Sequence, residues 1–587
     1  MPSTGASRGR ALLALLRPNA RRWAVLGALL GAGSALALAG PLVVRLVVDR
    51  ATAGAGSGVI VRLAVIFLVI AVVVQVIEVV VARQATVAAW STTNDIRLRI
   101  TRHVLGLDHE FHRTHTPGEL IQRVDGDVTS VSDFLGQVVP KVASGALLLG
   151  GMLVVLSVLD WRIGLGMALY VVAAVGVVMA MRHRAVTESS DEMGAYAALY
   201  GGIEERLTAA EDLRANGAGV HAMWRFVEDS AGALRSSVRR EAAFLRLWWA
   251  VEGAVAVGSA LSLVVSAALV AGGIISVGTA FLLFQYVLLI GRPLEDLVHQ
   301  LETVQKASGA MTRVIDLLDV RPAIVDDGTT SPPPGALAVH CRDVEFDYGD
   351  EQQILHEVDL QIAAGTSVGI VGRTGSGKTT FSRILLRLVE STSGTVTLGG
   401  VPIADIPLAE LRRRVALVPQ EVELFEGSLR DNVTLFDPAP TDADVATALD
   451  QAGLAALAAG DVHRPLGGGG AGLSAGEAQL LALARVWLRQ PDLVVLDEAT
   501  ARVDPVTERR IEAAVAELMR GRTTLIIAHR LSTLRRVDEI VVFDRGRVVE
   551  HDDRAELAAT DGSRYRQLLD LALESAESDA LAGGVVA

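Results

Sequence analysis

The sequence predicts a multidomain chain of two unlike parts: a six-helix α transmembrane domain with long helical extensions outside the membrane, followed by an α/β domain built around a phosphate loop. Three observations predict it. Apolar residues make up 51% of the 587 positions but crowd into the N-terminal half. One glycine-rich segment, Gly372, Arg373, Thr374, Gly375, Ser376, Gly377, Lys378 and Thr379, follows an apolar run at 367–371 and opens a helix-like run from Thr380 to 389. Around it, short Val/Ile/Leu runs alternate with helical patterns, as in a largely parallel sheet covered by helices.

Runs at 23–48, 63–81, 138–159, 163–181, 251–270 and 274–290 each approach or exceed the roughly 20 residues that a bilayer-spanning helix needs. Arginines set the orientation. Arg8, Arg10, Arg17, Arg21 and Arg22 precede the first span, and Arg83, Arg97, Arg99, Arg102, Arg113 and Arg123 follow the second, which puts the N-terminus in the cytoplasm. Six spans then return the chain to that side, where ATP is. The first apolar run is too long for a cleaved signal. Residues 11–16, flanked by arginines, read either as a short amphipathic elbow helix on the membrane face or as a plain charged leader. The single cysteine, Cys341, excludes an intrachain disulfide and offers no metal cluster. A net charge of −13 with dispersed basic residues gives no sign of nucleic-acid binding.

Between spans two and three, and between four and five, polar stretches of roughly 50 to 70 residues keep helical periodicity, so the helices are expected to continue out of the membrane. Their turns fall at 115–120 and 208–217, the second carrying Glu211 and Asp212. Asp160, Trp161 and Arg162 join spans three and four, and Gly272 and Gly273 lie between five and six, so the bulk is on the cytoplasmic side. The expected divisions are a segment 1–22, a membrane domain 23–320, a linker 321–336 with prolines at 332, 333 and 334, an ATP-binding domain 337–573, and an acidic, disordered tail 574–587.

In the phosphate loop the glycines let the backbone curl so that successive N–H groups face one anion, and the helix N-terminus adds partial positive charge. Lys378 then reaches the terminal phosphates and the Thr379 hydroxyl a magnesium ion. Lysine occurs elsewhere only at 141 and 306, so a compact ammonium in place of a guanidinium fork is selected here. The apolar strand 493–496 ends in Asp497 and Glu498, expected to hold magnesium and to act as general base. The strand 524–528 ends in His529, placed to sense the γ-phosphate, and Gln420 follows 417–419. Ser474, Ala475, Gly476 and Glu477 open a long helical run and form a second anion half-site. Two half-sites in one domain suggest that two copies face each other head to tail, each Lys378 site closed by the partner's Ser474.

The order Tyr348, phosphate loop, Gln420, 473–479, 493–498, Asp504 and His529 resembles the nucleotide-binding domain of ABC transporters. With six preceding spans, nearly the whole chain resembles an exporter-type (type IV) half-transporter. The resemblance implies that Tyr348 stacks on adenine, Gln420 couples the site to the membrane domain, Asp504 contacts the opposite subunit, and coupling helices fall near 116–127 and 208–217. ATP and Mg2+ are the implied ligands, and the implied partners are a second half-transporter, identical or different, the lipid bilayer and an unidentified cargo. The chain departs from the family pattern at Ala475 and Glu477, in lacking a glutamate in 467–470, and in reading Ala501, Arg502, Val503 before Asp504. None of these removes a catalytic group. An importer of lipids or siderophores on the same fold, and a non-pumping regulatory module, are the alternatives. Arginine in place of lysine and abundant alanine suggest a GC-rich bacterial genome and hence the inner membrane.

Glu78, Lys141 and Glu252 fall in the cytoplasmic parts of their spans, and Gln285 lies deeper in span six. At the bilayer centre a charge costs roughly 2.5–3.5 kcal/mol even on a mild scale, so each faces protein or water. They line a substrate path or are hydrated or paired where helices leave the lipid.

Overall fold

A computed structural model describes residues 17–349, 353–467, 472–497, 505–528 and 531–570, so the stretch at 11–16 and the tail lie outside the described residues. Two compact units result: Met1–Leu107 with His115–Arg321, and Asp108–Thr114 with Pro322–Ala587.

The first unit is helical because a backbone in lipid must satisfy its own hydrogen bonds. Its helices are α1 (Ala20–Thr52) and α2 (Ser57–Leu105), then, beyond the short α3 (His109–Thr114) of the second unit, α4 (Pro117–Leu159), α5 (Trp161–Thr208), α6 (Ala210–Ala215), α7 (Gly219–Ala271), α8 (Val277–His299) and α9 (Leu301–Asp319). Six of them, α1, α2, α4, α5, α7 and α8, are long and apolar enough to cross a membrane. At 48, 49 and 53 residues, α5, α2 and α7 far exceed a bilayer's need. Their surplus forms the extensions read from periodicity, and α6 sits at the expected second turn.

Met152 and Leu156 of α4, Val171 and Val178 of α5, Leu247 and Val251 of α7, and Leu282, Tyr286 and Ile290 of α8 share one buried cluster. Polar bonds fix how α1 meets α8. The buried Tyr286 hydroxyl donates to the Leu38 carbonyl at 3.1 Å, and the Asp49 carboxylate accepts from Gly278 N–H and the Ser276 hydroxyl, both at 2.9 Å. Gly278 is required by this approach, since a Cβ there would stand 2.4 Å from the Arg45 carbonyl oxygen. Of the polar groups singled out in the spans, Lys141 pairs with Asp296 at 3.1 Å and Glu78 accepts from Gln75 at 3.4 Å.

One polar contact in this unit, with a buried carboxylate, had no local signal. Asp127 on α4 is 2% exposed and accepts two bonds from Arg313 on α9, at 2.8 Å from Nε and 2.5 Å from Nη2, while half the Arg313 side chain stays in solvent. The same bond raises the Arg313 pKa. The two partners are therefore not equivalent. Removing Arg313 strands a buried carboxylate, whereas removing Asp127 leaves a cation that rehydrates. Arg313→Met is expected to cost about 3 kcal/mol or more and Asp127→Ala about 1 kcal/mol, compared by thermal or denaturant unfolding of the full chain in detergent.

The second unit has a four-stranded antiparallel sheet ordered β2, β1, β4, β5, from β1 (Val339–Asp347), β2 (Gln353–Ile362), β4 (Ser393–Leu398) and β5 (Val401–Pro402). Between β2 and β4 in sequence come β3 (Ser367–Gly372) and α10 (Lys378–Leu385). Further along are α11 (Leu408–Arg414), β6 (Val415–Val418), β7 (Gly427–Ser428), α12 (Leu429–Thr434), α13 (Asp442–Gln451), α14 (Ala455–Ala458), β8 (Pro465–Leu466), α15 (Ala475–Arg489), β9 (Leu493–Asp497), α16 (Pro505–Leu518), β10 (Thr523–Ile527), β11 (Glu539–Asp544), β12 (Arg547–Asp553) and α17 (Arg554–Ala559). A six-stranded sheet runs β12, β11, β3, β10, β9, β6, parallel except at β12. Both faces are covered, so alternate residues feed two cores: Val495, Ile527 and Val541 pack with Phe381 and the antiparallel sheet, and Val494, Leu496 and Ile526 pack with α15 and α16.

The proline-rich stretch, read as a linker, is tied down. Arg414 donates to the carbonyls of Pro332 (3.2 Å), Pro333 (2.5 Å) and Gly335 (3.3 Å), Arg387 to Val325 (2.9 Å), and Leu408 N–H to Asp326 (2.8 Å). The segment near 116–127 expected to couple lies in the helical unit, whereas the piece grouped with the ATPase unit is Asp108–Thr114, whose Asp108 carboxylate accepts from the N–H groups of Ala323 and Ile324. On β1, Cys341 is buried, and burial followed by the nearby Asp359 pushes its thiol up to about 12. Thiolate is therefore scarce at neutral pH, and a maleimide at pH 7 to 8 is expected to leave the folded chain unlabelled and to label it fully once unfolded, read by intact mass.

Candidate nucleotide site

The phosphate loop lies between the last residue of β3 and the first of α10. Gly377 takes φ +100° as the N-cap of α10, and a Cβ at Gly372 would stand 2.2 Å from the Phe543 carbonyl oxygen, so neither position accepts a side chain. Lys378 is buried, its ammonium donating to the carbonyls of Gly372 at 2.7 Å and Arg373 at 3.0 Å. The Ser376 hydroxyl is buried without a hydrogen-bond partner, while a Cβ on Gly375 would touch nothing. An orphaned hydroxyl, open space over bare backbone, an ammonium and a helix N-terminus fit a chain of phosphates.

Tyr348 follows β1 and is brought to the first turns of α10. Its hydroxyl lies 3.5 Å from the Thr380 hydroxyl and accepts from Arg383 at 2.9 Å, and its ring meets Phe346 edge-on, centroids 4.7 Å apart. Arg113 of α3, clamped by Glu110 at 2.6 and 2.9 Å, sets its guanidinium 4.9 Å from the Tyr348 ring centre. That bond to Arg113 holds the Glu110 carboxyl below its ordinary range. No sequence pattern announced this neighbour of the adenine-stacking candidate.

Parallel pairing brings the remaining groups to one edge. Ile527 of β10 is in register with Ile370 of β3 and with Asp497 of β9, and Leu496 with Val418 of β6, so Asp497 ends its strand where Gln420 follows the adjacent one. The carboxylate strand is the next but one from the phosphate-loop strand, with β10 between them. Glu498, Asp504 and His529 lie outside the described residues, as do residues 468–471.

Ser474 is the N-cap of α15. Its hydroxyl accepts from Glu477 N–H at 3.3 Å and donates to the Glu477 carboxylate at 3.0 Å, which also accepts from Ser474 N–H at 2.9 Å. The departure at Glu477 thus completes a capping box, a Ser-x-x-Glu signal that was readable from the sequence. Two further residues had no such signal: buried Gln479 donates to the Pro419 carbonyl at 3.4 Å, and Arg485 to the carbonyls of Asn432 at 2.8 Å and Glu423 at 2.9 Å. Together they tie the helix that presents Ser474 to the loop that carries Gln420. Glu477→Gln keeps an acceptor at N3 and is expected to leave stability within about 0.5 kcal/mol, whereas Ser474→Ala, losing the cap, is expected to cost about 1 kcal/mol, both read from unfolding of the full chain.

Comparison with known proteins points to one family. The family model described as "ABC transporter transmembrane region" matches residues 23–294, and the one described as "ABC transporter" matches 355–501. The ATP-dependent lipid A-core flippases of Legionella pneumophila (strain Paris) and Chromohalobacter salexigens are 30% and 31% identical, over 82% and 83% of this chain and 82% and 85% of theirs. An ABC transporter ATP-binding protein of Bacillus subtilis, YknV, is 27% identical over 90% of this chain and 89% of its own. A bacterial Atm1-family ABC exporter solved with ATP bound superposes with a TM-score of 0.80 at 24% identity, covering 94% of this chain and 98% of that one.

Proposed function

Because the chain belongs to the ABC transporter family, a multi-pass membrane protein whose ATPase domain couples hydrolysis to transport, we propose that it is one half of a dimeric pump exporting a lipid-like amphipath. The observation that carries the reading is six apolar helices and a phosphate-binding loop on one polypeptide, with lipid A-core flippases among its relatives at 30% identity. Dimerisation follows from the fold class. That the two copies are identical, and that each Lys378 site is closed by Ser474 and Asp504 of the other, is the finer proposal. An inner-membrane location is supported by the arginine- and alanine-rich composition, and a cytoplasmic ATPase unit by arginine placement.

Lys378 and the N–H groups of Gly375, Ser376 and Gly377 hold the β- and γ-phosphates of ATP, and the Ser376 hydroxyl finds there the partner it lacks within the protein. Tyr348 stacks on adenine. Thr379, Gln420 and Asp497 would hold Mg2+, which when bound neutralises charge on the phosphates. Glu498 takes the proton of the attacking water and His529 orients the γ-phosphate. Binding energy closes the two ATPase domains and hydrolysis reopens them, alternating the access of the membrane cavity.

Two substitutions separate the roles. In lipid vesicles, Glu498→Gln is expected to retain ATP binding while turnover falls at least a hundredfold, a loss typical of removing a general base. Lys378→Ala is expected to weaken nucleotide binding itself, measured with a fluorescent ATP analogue. Full turnover by Glu498→Gln would refute its assignment, and wild-type silence despite ATP binding would replace the homodimer by a heterodimer.

A further inference from the structure

A cleft of about 330 Å³ opens among α5, α7 and α8 at the end of the helical unit where Asp160, Trp161 and Arg162 form a short connection. That volume is within the range of small-molecule sites, about 300–1,000 Å³. Its walls are Met167, Leu261, Val265, Leu269, Leu283 and Val287. Two lining serines break the apolar surface: Ser262 and Ser266 of α7 carry buried hydroxyls without a hydrogen-bond partner, and Ser266 is only 3% exposed. A serine in a membrane helix ordinarily satisfies its hydroxyl on its own backbone, so two unpartnered hydroxyls one turn apart, lining the same cleft, call for an acceptor from outside the protein.

The cleft is graded along its length. Tyr170 forms its floor, its hydroxyl donating to the Ala254 carbonyl at 2.9 Å and its ring lying against Gly258. Eight residues nearer the helix end on α5 comes Arg162, and eight nearer the end on the antiparallel α7 comes Ser266, each about 12 Å from the floor by helix rise. A cation and a serine hydroxyl thus share the mouth, Ser262 lies one turn deeper, and apolar side chains fill the remainder. Asp160, also at the mouth, has its carboxylate engaged by Arg162 N–H at 2.8 Å as the α5 cap. We propose that this cleft binds a bilayer lipid with an anionic head and an ester-linked acyl chain, its phosphate at Arg162, its ester oxygens at Ser266 and Ser262, and its chain against Met167, Leu261 and Val287.

The test is native mass spectrometry of the full chain in detergent, titrated with dioleoyl phosphatidylglycerol, its diether analogue and dioleoyl phosphatidylcholine. The wild type is expected to bind the diester phosphatidylglycerol more tightly than either of the others. Ser262→Ala with Ser266→Ala should weaken that binding about threefold to tenfold and abolish the preference for ester over ether, as expected for two lost hydrogen bonds. Arg162→Gln should abolish the preference for phosphatidylglycerol over phosphatidylcholine. Equal wild-type binding of diester and diether lipid, or of the two headgroups, overturns the proposal whether or not the variants fold. ATPase activity does not enter the readout, so its outcome leaves the transport reading untouched.

Discussion

The register of four parallel strands is the constraint on which the nucleotide site depends. The strands β3, β10, β9 and β6 are far apart in sequence, yet parallel pairing aligns their carboxyl ends, so a loop, a carboxylate and an amide arising at residues 372, 497 and 420 reach one edge. Parallel pairing demands a crossover between strands, and those crossovers cover both faces of the sheet. Burial of both faces explains why the strands read as near-continuous Val, Ile and Leu. It also means that a shift of register in β9 would move Asp497 away from the edge and exchange the residues feeding its two cores, so packing and chemistry are set by the same alternation.

In the helical unit the solvent imposes the order. Helices that satisfy their own backbone bonds still need side-chain bonds to fix how they lie against each other, and three of these span most of the unit's sequence: Tyr286 with Leu38, Asp49 with Gly278, Asp127 with Arg313. Each joins an early helix to a late one. The last helices thereby close the unit, and a chain ending before α8 would leave the Leu38 carbonyl and the Asp49 carboxylate of α1 without these partners.

Local signals were legible in the sequence and pairings were not. The six spans could be read because a run of about 20 apolar residues is complete information about a spanning helix. The phosphate loop could be read because its glycines, lysine and flanks are contiguous. The order of the strands was not legible: nothing near 493–497 tells that β10 intervenes before β3. Nor does anything near residue 127 announce a partner 186 positions away. The Thr-Pro-Gly signal marks a turn at 115–120, yet the piece grouped with the ATPase unit is Asp108–Thr114 just before it, where the Asp108 carboxylate reaches Ala323 and Ile324, a contact without a local signal. At Glu477 the Ser-x-x-Glu spacing of the capping box is legible in the sequence, and the structure forms it.

The buried Cys341 has a practical corollary. A chain whose sole thiol is sealed within a β-strand core is, for the chemist, already a blank background. Single or paired cysteines introduced on α2, α5 or the ATPase unit will carry spin labels or fluorophores without prior removal of a native thiol. Distances across a working cycle can therefore be followed in a protein whose cores are unaltered.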